Sequence, residues 1–373
     1  MVAGLGGERD HRAAAGAAGL PCGDAQSAET ATGQVGSADA RLLRKSLALL
    51  EPQSERFMAH FFAALFVRNP ELRPMFPLTL GECRKQVFGE LTRCAWSLHQ
   101  PESLAGWFGE LGRDHRKFGV TEQHYRLFCD ALLATAQAFC AGAWSEQARA
   151  AWERALAAVT AAMAGGGTGG TADGAGRGPA WWLAEVAEHD LRRPGLAVLA
   201  LRPDQPLPYR AGQHVSLQVP RCPRMWREYS IASAPAPDGL LRLHVRAVPG
   251  GGVSTALVHQ ARAGDTVVLG RARGQMTADA IRSPRVVCIA GGTGLAPVKA
   301  IAEALTSPAR PHPQPAVRLF FGARTRAGLY DLADLRRLAG TRPSLTVIPV
   351  TSDEPGDGGL AGPVTEVALA HLT

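Results

Sequence analysis

Four stretches of the chain carry residue types that could bind nucleotides or a metal. Arg227-Glu228-Tyr229-Ser230 sets a guanidinium, an aromatic ring and a hydroxyl side by side. The guanidinium suits a phosphate, the ring suits stacking and the hydroxyl can hydrogen-bond a ring nitrogen, so the set could serve a flavin nucleotide. An ordinary strand edge is the alternative. Gly250-Gly251-Gly252-Val253-Ser254-Thr255 runs into an apparent helix through Ala256 and Leu257. Successive amides at a helix N-terminus can hold a pyrophosphate; a flexible hairpin loop is the plainer reading. Gly291-Gly292-Thr293-Gly294-Leu295-Ala296-Pro297 follows an apolar run and precedes a helical stretch. Glycines there allow close approach to a dinucleotide, and the helix dipole favours its phosphates. The stretch is not a full GxGxxG, and its strand–loop–helix context strengthens it. Finally, His115 lies in Gly112-Arg113-Asp114-His115-Arg116-Lys117-Phe118-Gly119-Val120, with Tyr125 beyond it and Phe76 in the turn after Asn69-Pro70. A lone His is usually exposed or satisfied in a core. A buried haem needs one imidazole and many apolar contacts, and this aromatic-rich setting could supply both.

These residues need elements to position them. Residues 38–163 read as all helix: Phe57, Phe61 and Leu65 repeat every four residues, with Met58, Phe62 and Phe66 beside them. Tyr125, Phe128, Leu132 and Phe139 form a second stripe, and Thr121 with His124 makes a plausible helix start. Residues 164–178 form a flexible Gly-rich linker. Residues 179–280 favour strands. Leu241, Leu243, Val245 and Ala247 alternate with Arg242, His244 and Arg246, and 214–219 also alternates, which suggests an antiparallel barrel or sandwich. Residues 281–373 show apolar runs at 286–290, 317–321 and 345–350, with helical stretches at 296–306 and 331–339 between them. That order implies a doubly wound α/β parallel sheet.

Composition narrows the class. With 373 residues, 46% of them hydrophobic, the chain can bury two or three cores, so a wholly disordered protein is excluded. Residues 1–37 carry almost no large apolar side chains and are expected to be disordered. The net charge of +7 comes with no zinc spacing, aromatic-basic repeat or polybasic run. We therefore expect no nucleic-acid partner. No apolar run reaches membrane-spanning length, so no membrane association is expected. The 7 cysteines are scattered without a CxxC, which favours reduced thiols and a cytoplasmic location.

Taken in order, RxYS, a GGxS loop and GGTGxAP after a strand resemble the ferredoxin-reductase-type flavoproteins over roughly 180–373. Phe321-Gly322-Ala323-Arg324 and Leu329-Tyr330 look like that family's second NAD-domain strand and following helix. The stretches HFFAALFVRNPELRPMF, GRDHRKFGV and EQHYRLFCDALLATAQAFC resemble the globin domain of flavohaemoglobins. The order globin, FAD domain, NAD domain is also that of flavohaemoglobins. The resemblance implies haem b, FAD and NAD(P)H as cofactors. His115 would be the proximal iron ligand, Tyr125 the proximal Tyr with a catalytic role, and Phe76 the haem-packing residue. His214, Arg227, Glu228, Tyr229, Ser230, Gly252, Val253 and Ser254 would contact FAD. Gly292, Thr293, Gly294, Leu295, Ala296 and Pro297 would contact NAD(P)H. Dioxygen and nitric oxide would be the substrates and nitrate the product. The competing readings are an NAD(P)H-dependent haem reductase with another acceptor, and a non-catalytic haem-based ligand binder or sensor.

The chain also departs from the family. The family's distal His-Phe-Tyr triplet is here His60-Phe61-Phe62, so Phe62 lacks the hydroxyl that would stabilise bound dioxygen. The distal Gln position falls on Cys83 or on Gln86, depending on register. The Cys83 register keeps Val87 and Phe88 apolar-inward and is preferred. The family's proximal Glu should fall in the Gly-rich linker, where no Glu occurs. The family's NAD domain continues into a Cys-Gly-Pro stretch. Here Thr373 comes soon after the third strand, so either the sequence is truncated or a sheet strand and part of the nicotinamide pocket are absent, and an exposed sheet edge is expected.

Overall fold

A computed structural model describes residues 36–168, 178–310, 313–354 and 360–371. The N-terminal segment expected to be disordered lies outside them, except for Gly36 and Ser37.

The first unit is helical. It comprises α1 (Ser37–Leu50), α2 (Ser54–Arg68), α3 (Gly81–Ser97), α4 (Pro101–His115), α5 (Glu122–Phe139) and α6 (Glu146–Thr168). The Phe57, Phe61 and Leu65 stripe of α2 is fully buried, as are Met58 and Phe62. Pro70 and Pro74 cannot continue an α-helix, and the chain after α2 tightens into a 3₁₀ turn over Pro70–Met75. At the start of α5 the Thr121 N–H donates to His124 Nδ1 at 3.1 Å, closing an otherwise unpaired donor. One boundary differs from expectation. α6 continues through Gly165–Thr168, because the ladder begun by its apolar first turns extends into residues that would not nucleate a helix alone. Residues 169–177 of the expected linker lie outside the described residues.

The second unit is a six-stranded antiparallel sheet of β1 (Trp182–Arg193), β2 (Leu196–Pro203), β3 (His214–Gln218), β4 (Arg227–Ser230), β5 (Leu241–Arg246) and β6 (Thr266–Arg273), in the order β4-β3-β6-β1-β2-β5. A bridge between Ile231 and Leu243 joins the two ends, so the sheet closes as a barrel. Helix α7 (Gly252–His259) caps it, with Val253 and Leu257 buried in the barrel core.

The third unit is a parallel sheet of β7 (Arg285–Gly291), β8 (Ala316–Ala323), β9 (Leu345–Thr351) and a short β10 (Leu360–Ala361), in the order β10-β9-β8-β7. Helices α8 (Leu295–Leu305), α9 (Leu332–Gly340) and α10 (Val364–Ala370) accompany it. The sheet therefore does not stop at the third strand as expected: Leu360 and Ala361 pair with Val350 and Thr351, adding a fourth. On the other side, β7 pairs only with β8 among the described residues, and Ile289 on it is exposed.

Helices α4 and α6 meet where Gly112 lies, and a Cβ there would fall 2.0 Å from the Met163 carbonyl oxygen. Gly106, one helical face away, has open space. We expect Gly106→Ala to stabilise the chain by about 0.5–1 kcal/mol through helix propensity. Gly112→Ala should destabilise it by about 2 kcal/mol or more by forcing the two backbones apart. Urea midpoints of the two variants should move in opposite directions, and a common direction would refute this account of the α4–α6 contact.

Candidate functional site

His115 is the last residue of α4, and the chain then turns through Arg116–Phe118 to Gly119, whose φ of +68° ends the turn. Its Nδ1 lies 3.2 Å from the Tyr125 hydroxyl, and the two rings stack at 22°. Desolvation by burial is the main cause that pushes the imidazole down to about 4, while the Asp114 carboxylate opposes it and Lys117 and Arg273 assist. The ring is therefore neutral at pH 7. Burial also pushes Tyr125 up to about 12, so it remains a phenol. With the Nδ1–H donating to the Tyr125 oxygen, the Nε2 lone pair is left free, which is the tautomer a metal requires.

A bare ion needs three or four protein ligands. A single imidazole among apolar side chains suits instead a metal that brings its own ring of nitrogens. The aromatic side chains fit such a flat group. Phe62 and Phe66 both pack on Phe76, with centroids 5.6 and 5.2 Å apart. Phe66, Phe76, Cys83, Val87 and Phe128 remain only half-buried against the core. Cys83 and Val87, four residues apart on α3, share this inward face, whereas Gln86 is exposed. Of the two registers, the one that places Cys83 on this face has the half-buried residue. Burial pushes the Cys83 thiol up to about 11.

In the barrel, β3 and β4 align His214 with Ser230 and Val215 with Tyr229. Tyr229 and Ser230 are half-buried, while Arg227 and Glu228 are exposed. Glu228 accepts from Arg273 Nη2 and approaches His214 Nε2 at 3.7 Å. Gly252, which opens α7, sits close to Cys222, and a Cβ there would lie 3.1 Å from its sulfur. The side chains of Val253 and Ser254 are buried. The Ser254 hydroxyl accepts the Val248 N–H at 3.1 Å and so closes the glycine loop. A pyrophosphate at this loop would meet backbone amides, not these two side chains.

At the end of β7, Gly292 adopts φ +54°, and Gly292–Gly294 form a 3₁₀ turn into α8. Leu295 and Ala296 are buried, so their side chains serve the core and leave the turn's backbone with Thr293 and Pro297 facing any nucleotide. This turn rests on the barrel. A Cβ at Gly292 would meet Arg246 Nη2 at 2.8 Å, and one at Gly212 would meet the Ile301 side chain of α8 at 2.9 Å. The segment leading into β3 and helix α8 are thus neighbours.

Several residues here were not singled out from sequence. His244 Nδ1 lies 2.8 Å from the Tyr330 hydroxyl, and that hydroxyl donates to the Gly292 carbonyl at 3.4 Å. An Nδ1–H donating to Tyr330 leaves only the buried Nε2 lone pair unpaired. Lys299 donates to the buried Asp331 at 2.7 Å, and Arg192 Nη2 to Asp334 at 2.6 Å. Lys117 Nζ donates to Ser216 Oγ on β3 at 2.8 Å, and Asp114 lies 3.6 Å from Arg273. No spacing rule in the sequence marks these pairs, because their members are far apart along the chain.

Comparison with known proteins agrees with this division. The globin family model matches residues 59–163, the oxidoreductase FAD-binding domain 186–277 and the oxidoreductase NAD-binding domain 288–372. The xylene/toluene monooxygenase electron transfer component of Pseudomonas putida is 38% identical over 177 residues, 46% of this chain and 49% of that protein. The naphthalene 1,2-dioxygenase system reductase component, also from Pseudomonas putida, is 34% identical over 184 residues, 49% of this chain and 53% of that protein. The chain spans about half the length of these reductase relatives. The flavohemoprotein of Bordetella pertussis is 28% identical over 298 residues, 73% of this chain and 71% of that protein. A flavohemoglobin from Malassezia yamatoensis, solved with bound FAD and heme, has a TM-score of 0.70 at 16% identity, covering 88% of both chains, and shares the fold. The fold and the domain matches define a globin joined to an FAD- and NAD-binding oxidoreductase module. In domain order and fold the chain is similar to flavohaemoglobins, and its globin, FAD-binding and NAD-binding domains correspond to haem, FAD and NAD(P)H as cofactors.

Burial is the main cause that pushes His244 down to about 3, with the Lys299 and Arg192 charges adding to it. The unfolded chain takes up a proton below about pH 6.5 that the folded chain refuses. Stability should therefore be lost as pH falls from about 6.5 toward 4, beyond what the other depressed histidines contribute. His244→Gln keeps an N–H donor for the Tyr330 hydroxyl and should show a shallower loss in thermal midpoints over that range. Parallel curves for the two proteins would remove His244 as the cause.

Proposed function

We propose that this protein is an oxidoreductase that moves electrons from NAD(P)H through FAD to haem and oxidises nitric oxide to nitrate with dioxygen. The observation that carries the reading is the half-buried His115–Tyr125 pair, flanked by Lys117, which hydrogen-bonds Ser216 on β3, and by Asp114, which forms an ion pair with Arg273 on β6. When bound, NAD(P)H supplies a hydride, FAD divides its electron pair, and haem iron offers a site for dioxygen and nitric oxide.

In this reading His115 Nε2 holds the iron, and Tyr125 fixes the imidazole's tautomer and orientation. Phe76, with Phe62 and Phe66 against it, packs on the haem face. Phe62, Cys83 and Val87 would line the ligand-binding side of that same aromatic wall and keep water out. Tyr229, Ser230, Arg227, Glu228 and His214 hold the flavin, and the amides from Gly252 onward hold its pyrophosphate. The backbone of Gly292–Gly294, with Thr293 and Pro297, receives the nicotinamide nucleotide. The Tyr330 hydroxyl, between His244 and Gly292, keeps that turn seated on the barrel.

One feature favours a second reading, NAD(P)H-driven haem reduction with a different acceptor. Phe62 is fully buried among aromatic rings and has no hydroxyl to donate to a bound ligand.

Haem- and FAD-loaded protein should consume nitric oxide in air at the expense of NADH. Equal NADH turnover with and without nitric oxide would favour the second reading, and a haem spectrum without NADH oxidation would favour a ligand binder. His115→Ala should lose the haem absorption band while keeping the flavin spectrum. Phe62→Tyr adds one donor to the ligand side and should slow dioxygen release about tenfold, as measured by stopped flow.

A further inference from the structure

We infer that Lys117 is a positioning residue, a buried key on the helical domain that docks the His115 turn onto the flavin-type strands. Its side chain is 3% exposed. An ammonium has three donors, and Lys117 satisfies all of them. Two N–H groups reach Asp114 Oδ1 and Oδ2 at 2.8 and 2.9 Å, and one reaches Ser216 Oγ at 2.8 Å across the domain boundary. The charge sits 5.0 Å from the Phe118 ring of its own domain and 4.7 Å from the Trp226 ring of the barrel. Those two rings meet edge to face at 6.1 Å. The slot exists because residue 270 is a glycine. A Cβ at Gly270 would lie 2.2 Å from Ser216 Oγ and 3.5 Å from Lys117 Cδ.

The key is placed where both candidate redox groups are held. Asp114 precedes His115, and Lys117 is two residues after it. Ser216 is paired with Glu228 on the ladder that also pairs His214 with Ser230. Charges alternate across the boundary: Asp114 faces Arg273, which binds Glu228. A lysine shared in this way has one well-satisfied geometry, since any slide strands a buried ammonium donor. Apolar contact alone would tolerate slippage. The electron-transfer consequence rests on the proposed function; the docking itself does not.

The test uses full-length protein loaded with haem and FAD, comparing wild type with Lys117→Met and Gly270→Ala. Lys117→Met keeps the apolar stem, and Gly270→Ala closes the slot from the barrel side without altering the helical domain. Both should retain haem and flavin absorbance and reduce ferricyanide from NADH at the wild-type rate. Both should slow anaerobic reduction of haem by NADH about tenfold or more. In both, hydrogen exchange at residues 113–119 and 214–218 should rise at least about tenfold, a readout independent of turnover. Unchanged exchange and unchanged haem reduction in both variants would overturn the proposal. Faster exchange in a protein whose wild type never reduces haem would uphold docking by Lys117 and remove the electron relay instead.

Discussion

An imidazole that is to hold a metal must be kept neutral, dry and fixed in one tautomer, and the helical domain is organised around that requirement. Burial at the end of α4 disfavours the charged ring, and the Tyr125 hydroxyl occupies Nδ1. Neither condition would hold on an isolated helix. Tyr125 reaches His115 only because Gly119 turns the chain back and the Thr121–His124 cap starts α5 in the right place. The buried α2 stripe supplies the wall against which α5 is set, through contacts such as Phe61 on Phe128.

Polar bridges join the three units. Lys117 and Asp114 meet Ser216 and Arg273, and Arg192 binds Asp334. Tyr330 links His244 to Gly292. Buried polar contacts of this kind add little net stability compared with apolar packing, but mispairing them is expensive. They therefore select one relative placement of domains. For a protein read as handing electrons from one bound group to the next, the placement matters more than the strength. The buried His244 is consistent with that design. It accepts an unpaired Nε2 so that Tyr330 can reach the nucleotide turn.

Much of the architecture was legible because it rests on local periodicity. The four-residue aromatic repeat of α2, the alternation of β5 and the glycine turn between β7 and α8 are each properties of a few consecutive residues. The boundaries were less so. α6 runs on into glycines that favour coil on their own, and β10 is too short to show a pattern. Within the site, His115, Tyr125 and Tyr229 stood out by type and spacing. The register of α3 needed the core itself, which turns Cys83 and Val87 inward and Gln86 outward.

The amino-acid order by itself determined which segments are helix or strand and where the ligand-type imidazole and the glycine turns fall, because those depend on neighbours within a turn or a hairpin. Tertiary structure alone decided which distant groups meet: Lys117 with Ser216, His244 with Tyr330, and Asp114 with Arg273. Each joins residues dozens of positions apart, and desolvating a charge becomes tolerable only once folding has brought its partner alongside.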